Sequence, residues 1–552
     1  MKIALAQINP TVADFHGNVQ KILEFTRRAA AGGADLAIFP ELAVCGYPPA
    51  DLLEKPSFVA RCEEAMAQIA HETASLPIAV LCGYVTPAPH GSGKHVMNSA
   101  ALISEGHVEF VQSKMLLPFY DVFDEQRYFA PARHQQICRF HGKAVAITIC
   151  EDAWNDKSFW EHRRYSVDPI DELTRQGADL ILNLSASPYW RGKRTTRQQM
   201  LANIARRHRI PVVMVNQVGG NDSLVFDGTS LALAPDGRVC AQALSFEEDL
   251  VFFDAETLAG DIHAVTGQTE DDKTAALLDA LTLGTRDYVR KCGFSRVVIG
   301  LSGGIDSALV AAIAVRALGR ENVHGYGMPS RFSSQGSIDD SRALAAHLGI
   351  GFDVLPIHEL YEKFLETLAP VFAGARPDVT EENLQSRIRG TLLMAVSNKR
   401  NALVLTTGNK SEMSTGYCTL YGDMVGALAV IGDVVKTQVY ALCRYLNREQ
   451  EIIPQAILDK PPSAELRPDQ KDTDTLPPYD VLDPIVEAYV ERYESAERIA
   501  AVQQVDLSTV RRVIRMIERA EYKRQQAAPV LKVTPKAFGL GRRFPIAVKP
   551  EV

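Results

Sequence analysis

The sequence has no run of ~18–20 apolar residues, so nothing in it reads as a bilayer-spanning helix and no membrane partner is expected. Its nine cysteines are scattered and include no C-x-x-C pair, which indicates neither a disulfide framework nor a zinc site. Reduced thiols and a cytoplasmic location are the expectation. Positive charge is not in excess: 59 Lys and Arg against 67 Asp and Glu leave −8, which argues against nucleic acid as a partner. Internal repeats and low-complexity tracts are absent. The opening MKIALAQINP does not read as a signal peptide, because its apolar stretch breaks at Gln7 and stops at Asn9-Pro10. What remains is an ordinary globular composition, 46% hydrophobic and 23% charged over 552 residues, enough for two large domains or several smaller ones.

Short β-branched and apolar runs alternate with helical stretches throughout, which predicts an α/β architecture. Strands are expected at 36–39, 144–149, 180–184 and 212–215 in the first half. A polar, acidic stretch at 261–272 reads as a linker between domains at 1–260 and 273–552. The second half restarts with a strand at 297–300, a glycine turn and a helix at 307–318, with further strands at 323–327 and 403–406. Two Pro-rich segments, 461–468 and 477–484, read as long functional loops.

Three positions stand out in the first half: Glu41 after the strand DLAIFP, Lys114 in QSKMLLP, and Cys150 at the end of AVAITIC. A cysteine that attacks an amide must lose its proton. A carboxylate within reach can take it, an ammonium favours the thiolate and the oxyanion, and backbone N–H groups past the nucleophile can complete an oxyanion hole. Taken singly, such a Cys is usually a buried structural residue and such a Glu is usually solvated. The strings FPEL at 39–42, KMLLP at 114–118 and CED at 150–152 resemble the three signatures of the nitrilase superfamily, in the family's order. That resemblance implies a second catalytic glutamate at Glu125. It implies aromatic residues framing a glutamine substrate at Tyr47 and Tyr120. It also implies contacts to the substrate's α-amino and carboxylate groups from Ser185, Ser187 and Arg191.

The string VVIGLSGGIDS at 297–307 runs strand, glycine turn, helix. Ser302, Gly303 and Gly304 let backbone N–H groups converge on an anion, and the helix start at Ser307 adds its positive dipole end. No Lys-Ser/Thr pair follows the glycines, so this is not a Walker loop, and it is not G-x-G-x-x-G either. S-G-G-x-D-S resembles the pyrophosphate loop of the ATP pyrophosphatases. GNKSEMSTGYCTLYGD at 408–423 and ENLQSRIRG at 382–390 resemble segments of the NAD synthetases within that family. The resemblance implies ATP contacts from Ser302, Gly303, Gly304, Asp306, Ser307, Thr407 and Lys436, and Mg²⁺ held by Asp306 and Glu412. Deamido-NAD contacts are implied from Asn383, Arg387 and Arg389. The acidic loop at 470–474, QKDTD, departs from the family pattern and leaves the roles of Asp472 and Asp474 open.

The two resemblances together cover almost the whole chain and match the glutamine-dependent NAD synthetase family. The implied fold is a nitrilase-like α-β-β-α sandwich followed by a Rossmann-like parallel-sheet domain. The implied activity is that of an ATP-dependent carbon–nitrogen ligase: glutamine hydrolysis to ammonia, adenylation of deamido-NAD, and amidation to NAD. Implied partners are deamido-NAD, ATP, Mg²⁺, glutamine or ammonia, and further copies of the chain as a homo-oligomer. Two alternatives stay open here: a free-standing amide or nitrile hydrolase with an ATP-sensing domain, and a nucleotide-binding scaffold with a decayed hydrolase.

Overall fold

The computed structural model describes residues 1–263, 269–468 and 470–549, without the side chain of Asp271. The chain divides into two units, Met1–Gln268 and Thr269–Val552.

In the first unit, alternation along each strand builds four layers. One sheet has seven strands in the order 259–260, 249–254, β1 (Lys2–Gln7), β2 (Leu36–Ile38), β3 (Ala79–Pro87), β4 (Val96–Ser104) and β5 (His107–Ser113). Strand β1 sends Ala4 and Ala6 toward helices Phe15–Ala31 and Pro56–Thr73, and Ile3 and Leu5 toward the second sheet, as a period of two requires. That second sheet has six strands, with β6 (Lys143–Ile149), β7 (Leu180–Ser185) and β8 (Val212–Asn216) parallel at its centre. Val145, Ile147, Leu182 and Leu184 fill the space between the sheets, while Ala146 and Ile181 face helices Pro169–Arg175 and Lys193–His208. The arrangement is the expected α-β-β-α sandwich.

The second unit is built on a five-stranded parallel sheet. β9 (Val297–Gly300) is central, flanked by β10 (Val323–Gly327) and β11 (Gly351–Val354) on one side and by β12 (Leu403–Thr406) and β13 (Leu428–Ala429) on the other. Strand order therefore reverses between β9 and β12, and in open α/β sheets such a reversal opens a crevice at the carboxyl ends of the strands. The turn after β9 and the loop after β12 both rise at that crevice.

Two expectations change. Of the expected linker 261–272, residues 264–268 lie outside the described residues, and 270–272 are already helical: Thr269 and Asp272 cap helix Glu270–Lys291 reciprocally. The segment 477–484 is not a long loop. Tyr479–Val486 is a helix despite Pro484, because it buries Leu482, Ile485 and Val486 against helices Ala496–Gln503 and Leu507–Arg519. A π-turn at Glu487–Glu491 follows the missing N–H of the proline.

Candidate active sites

The first site gathers at the ends of β2, β6 and β7. Lys114, just past β5, is completely buried, and its Nζ lies 2.7 Å from Glu41 Oε1 and 2.8 Å from Glu125 Oε1. Glu41 is held from three sides: Asn98 Nδ2 donates to Oε1 at 2.7 Å, Lys114 to the same oxygen, and the Ala186 amide to Oε2 at 2.9 Å. Ser185 and Ser187 flank that amide. The Ser185 hydroxyl donates to Asn183 Oδ1 at 2.6 Å, and the Ser187 amide donates to Asn216 Oδ1 at 2.8 Å. Tyr47 donates to Glu125 Oε1 at 2.8 Å, whereas Glu125 Oε2 is buried without a hydrogen-bond partner.

Two carboxylates therefore share one ammonium. Burial, opposed by Lys114 and reinforced by Glu41, lifts the Glu125 carboxyl to about 7. Burial also works against the Lys114 charge, but Glu125 and Glu41 outweigh it and hold the ammonium above its ordinary range. Burial and the Glu41 carboxylate push the Cys150 thiol well up, so the thiol carries its proton at rest. The sequence expectation that Lys114 would favour a thiolate is thus outweighed.

Cys150 opens a short 3₁₀ turn at the end of β6 with φ of +40°, a sparsely populated conformation for a residue with a side chain. Asp152 fixes that turn. Its carboxylate accepts from the Ile149 amide at 3.1 Å and from the Met115 and Leu116 amides at 3.0 and 2.8 Å, which ties the Cys150 turn to the strand end that carries Lys114. Glu151, next to Cys150, accepts from Tyr120 at 3.0 Å and from Tyr165 at 3.1 Å. Arg191 is half-buried in the loop before helix Lys193–His208. Lys193 lies 5.2 Å over the Trp154 ring and acts electrostatically on Glu151. Asn98 and Tyr165 escape the sequence reading, because their partners lie at a distance in the chain, and Glu151 and Asp152 enter it only as letters of the C-E-D string.

The second site lies at the crevice. Gly303 has φ of +75°, and a Cβ there would sit 2.5 Å from the Ser337 carbonyl oxygen, so the turn needs glycine. Ser307 Oγ donates to the Gly304 carbonyl at 3.0 Å and lies 3.2 Å from Ser302 Oγ, bracing the turn at the start of helix Ile305–Leu318. Lys436 pairs with Asp306 and stands 3.6 Å from Glu412. Asn409 donates to Asp306 Oδ1 at 2.9 Å and caps the short helix that carries Glu412. Thr407 follows β12, half-buried.

Burial, then Asp306 and the more distant Asp472, raise the Glu412 carboxyl to about 8 against the pull of Lys436. Asp472, left open in the sequence, is buried, accepts from Tyr479 at 2.8 Å and adds its charge to this group. Asp474 instead pairs with Arg467 at 3.2 Å. Lys410 is fully buried between Asp433 and Glu491, at 2.9 and 2.6 Å, and donates to the Lys536 carbonyl at 2.9 Å, so the C-terminal segment is bound to the start of the short helix that carries Glu412.

The three residues on helix Val379–Arg400 do not converge. Asn383 accepts from Thr419 at 2.8 Å and Arg387 donates to the Leu420 carbonyl at 3.2 Å, whereas Arg389 donates to the Met328 carbonyl at 2.9 Å. Residues two apart on a helix point ~200° from each other, so the arginines serve different sides. Burial lowers Arg389 to about 10.

Comparison with known proteins agrees with this division. Residues 2–262 match the carbon-nitrogen hydrolase family and residues 277–527 the NAD synthase family. A glutamine-dependent NAD(+) synthetase of Synechocystis sp. is 50% identical, covering 99% of this chain and 98% of that protein. One from Thermotoga maritima is 44% identical over 99% and 98%. A solved structure of the Acinetobacter baumannii glutamine-dependent NAD+ synthetase, in complex with adenosine diphosphate, is 40% identical, covers 99% of this chain and 98% of its own, and superposes with a TM-score of 0.77. Full-length identity of this degree, with both family matches in the same order, shows that the chain belongs to the glutamine-dependent NAD(+) synthetases.

Proposed function

We propose that the two units run half-reactions that share ammonia: one hydrolyses glutamine, and the other adenylates the carboxylate of deamido-NAD with ATP and amidates it to NAD. The observation that carries this reading is the same in both units. A buried lysine stands between two carboxylates, beside a thiol in the first and an anion-binding glycine turn in the second.

In the first unit Cys150 attacks the side-chain carbonyl of glutamine. Since its thiol is protonated at rest, Glu41 takes the proton as the C–S bond forms. Lys114 and the backbone N–H groups after Cys150 oppose the charge growing on oxygen. Glu41 returns the proton to the departing nitrogen, ammonia leaves, and a glutamyl thioester remains. Water, deprotonated by Glu41, then releases glutamate. Glu125 and Tyr47 keep Lys114 in place. Tyr120, Ser185, Ser187 and Arg191 hold the zwitterionic substrate, with Glu151 supplying charge of the sign its ammonium needs.

In the second unit the deamido-NAD carboxylate attacks the α-phosphorus of ATP, pyrophosphate leaves, and ammonia displaces AMP. Ser302, Gly303, Gly304 and Ser307 receive the pyrophosphate at the helix start, Thr407 contacts ATP, and Lys436 offsets phosphate charge. Asn383, Arg387 and Arg389 are assigned to the dinucleotide. The donor set fits Mg²⁺, which takes one or two carboxylates plus phosphate oxygens: Asp306 and Glu412 are adjacent hard acids with one lysine between them, and burial, reinforced by the Asp306 charge, raises Glu412. When bound there, Mg²⁺ supplies charge neutralisation for the phosphates. The test is an assay of the purified protein with glutamine, ATP and deamido-NAD. One pyrophosphate and one AMP per NAD is expected. Glutamine hydrolysis without NAD would overturn the reading in favour of a free-standing amidase.

A further inference from the structure

Between the nucleophile's turn and helix Pro169–Arg175, residues 155–168 form an excursion without regular structure. Its tip reaches back to the first site. Tyr165 donates to Glu151 Oε1 at 3.1 Å, and the Arg164 guanidinium lies 3.9 Å over the ring of Tyr120, which itself donates to Glu151. Asn155, at the start of the excursion, donates through Nδ2 to the Tyr165 and Val167 carbonyls near its end at 2.9 and 2.5 Å, so the two ends are also joined directly.

Side chains of one helix hold the base: Asn203 Nδ2 donates to Asp156 Oδ1 at 3.2 Å and to Ser158 Oγ at 2.7 Å, and Arg207 joins the two ends. Arg207, in the last turn of helix Lys193–His208, places Nη1 2.7 Å from Asp156 Oδ2 at the start of the excursion and 3.5 Å from Asp168 Oδ2 at its end, and Nη2 pairs with Asp171. All three carboxylates are buried. The other cations near Asp171, Lys157 and Arg175, are mostly exposed, and His208 approaches Asp171 only to 3.5 Å. A planar guanidinium with five donors is the group that can span carboxylates on both ends of a loop.

We propose that Arg207 is a positioning residue for glutamine binding: by tying both ends of the excursion, it sets Tyr165 and Arg164 against the Glu151–Tyr120 pair. The proposal rests on that pair belonging to the glutamine pocket. Arg207 itself touches none of the reacting groups. A misplacement of about 1 Å by a remote residue is enough to cost a factor of 10–100.

The test is steady-state kinetics of the full-length protein with each nitrogen donor. Arg207→Met and Arg207→Lys are each expected to raise the glutamine KM about tenfold, to leave kcat at saturating glutamine nearly intact, and to leave ammonium-driven NAD synthesis unchanged. Tyr165→Phe should act in the same direction, and adding it to Arg207→Met should cost little more, because both act through one contact. An Arg207→Lys protein with normal ammonium-driven activity and an unchanged glutamine KM overturns the proposal, as does independent addition of the two effects. Should Arg207→Met not fold, Asp168→Asn, which loosens one end only, takes its place with the same two readings. Tyr120→Ala is the separate control: an unchanged glutamine KM there overturns the pocket assignment rather than the tie.

Discussion

Lys114 and Lys436 each stand between two carboxylates, yet water reaches the two groups differently. The side chains of Lys114, Glu41 and Glu125 are 0, 0 and 6% exposed, and those of Lys436, Asp306 and Glu412 are 3, 17 and 17% exposed. The first group is closed and keeps its excess acid by lifting it to about 7, which suits a neutral amide that brings no charge. The second leaves its acids open beside a turn that binds anions, where a hard cation and phosphates can complete the balance. The same lysine-between-carboxylates motif is thus closed in one unit and partly open in the other, which suits the proton-handling role proposed for the first and the phosphate-handling role proposed for the second.

Separating the two sites by nitrogen donor is the strongest way to break this comparison. Cys150→Ala should lower glutamine-driven NAD synthesis by about 10⁴-fold or more and spare synthesis from ammonium salt. Loss of both activities in a folded protein would mean the units are not separable. The reciprocal experiment is Asp306→Ala or Glu412→Ala, which should cost about 10²–10³-fold with either donor while glutamate release persists. Near-normal NAD formation would remove that acid from the site. A finer cut concerns the helix between them in sequence. Arg387→Ala and Arg389→Ala should each raise the deamido-NAD KM about tenfold, the size of one charge-assisted contact, and the two should combine additively because they face different sides. A larger change in the glutamine KM would show the segment to be misassigned.

The smallest effect sharpens the closed site. Glu125 sits at about 7 in the fold against an ordinary 4.5. Between those values the folded protein keeps a proton that the unfolded chain has shed, so stability is lost as pH rises through the window. Glu125→Gln cannot titrate. Its Tm relative to the parent should therefore climb by about 2–5 °C from pH ~5 to ~8. A flat difference would mean that Glu125 is ionised throughout.

Much of both sites was legible because the chemistry sits where strands end. The strand runs at 144–149 and 297–300 are near-continuous apolar stretches, and the residues that follow them are the nucleophile's turn and the glycine turn. What escaped the sequence is what depends on distant pairing. Asn98 reaches Glu41 across 57 positions and Ala186 reaches it across 145. No local period encodes such contacts. The helix at Tyr479–Val486 was hidden for another reason: three prolines signal a loop, but Pro477 and Pro478 only precede the helix, and buried Leu482, Ile485 and Val486 outweigh the bond lost at Pro484. Asp472 fell in a string that departs from its family, and only the fold brought it beside Lys436 and Glu412.

The bond from Lys410 to the Lys536 carbonyl has a consequence in time. A ribosome finishes the thiol-bearing unit at about residue 268 and reaches Lys536 roughly 270 residues later, which at about 5–20 residues per second is on the order of 15–50 s. Throughout that interval the first unit is complete in sequence while the helix that carries Glu412 still lacks its last anchor. A truncation just before Lys536 should make that condition permanent: a chain expected to hydrolyse glutamine and to make no NAD.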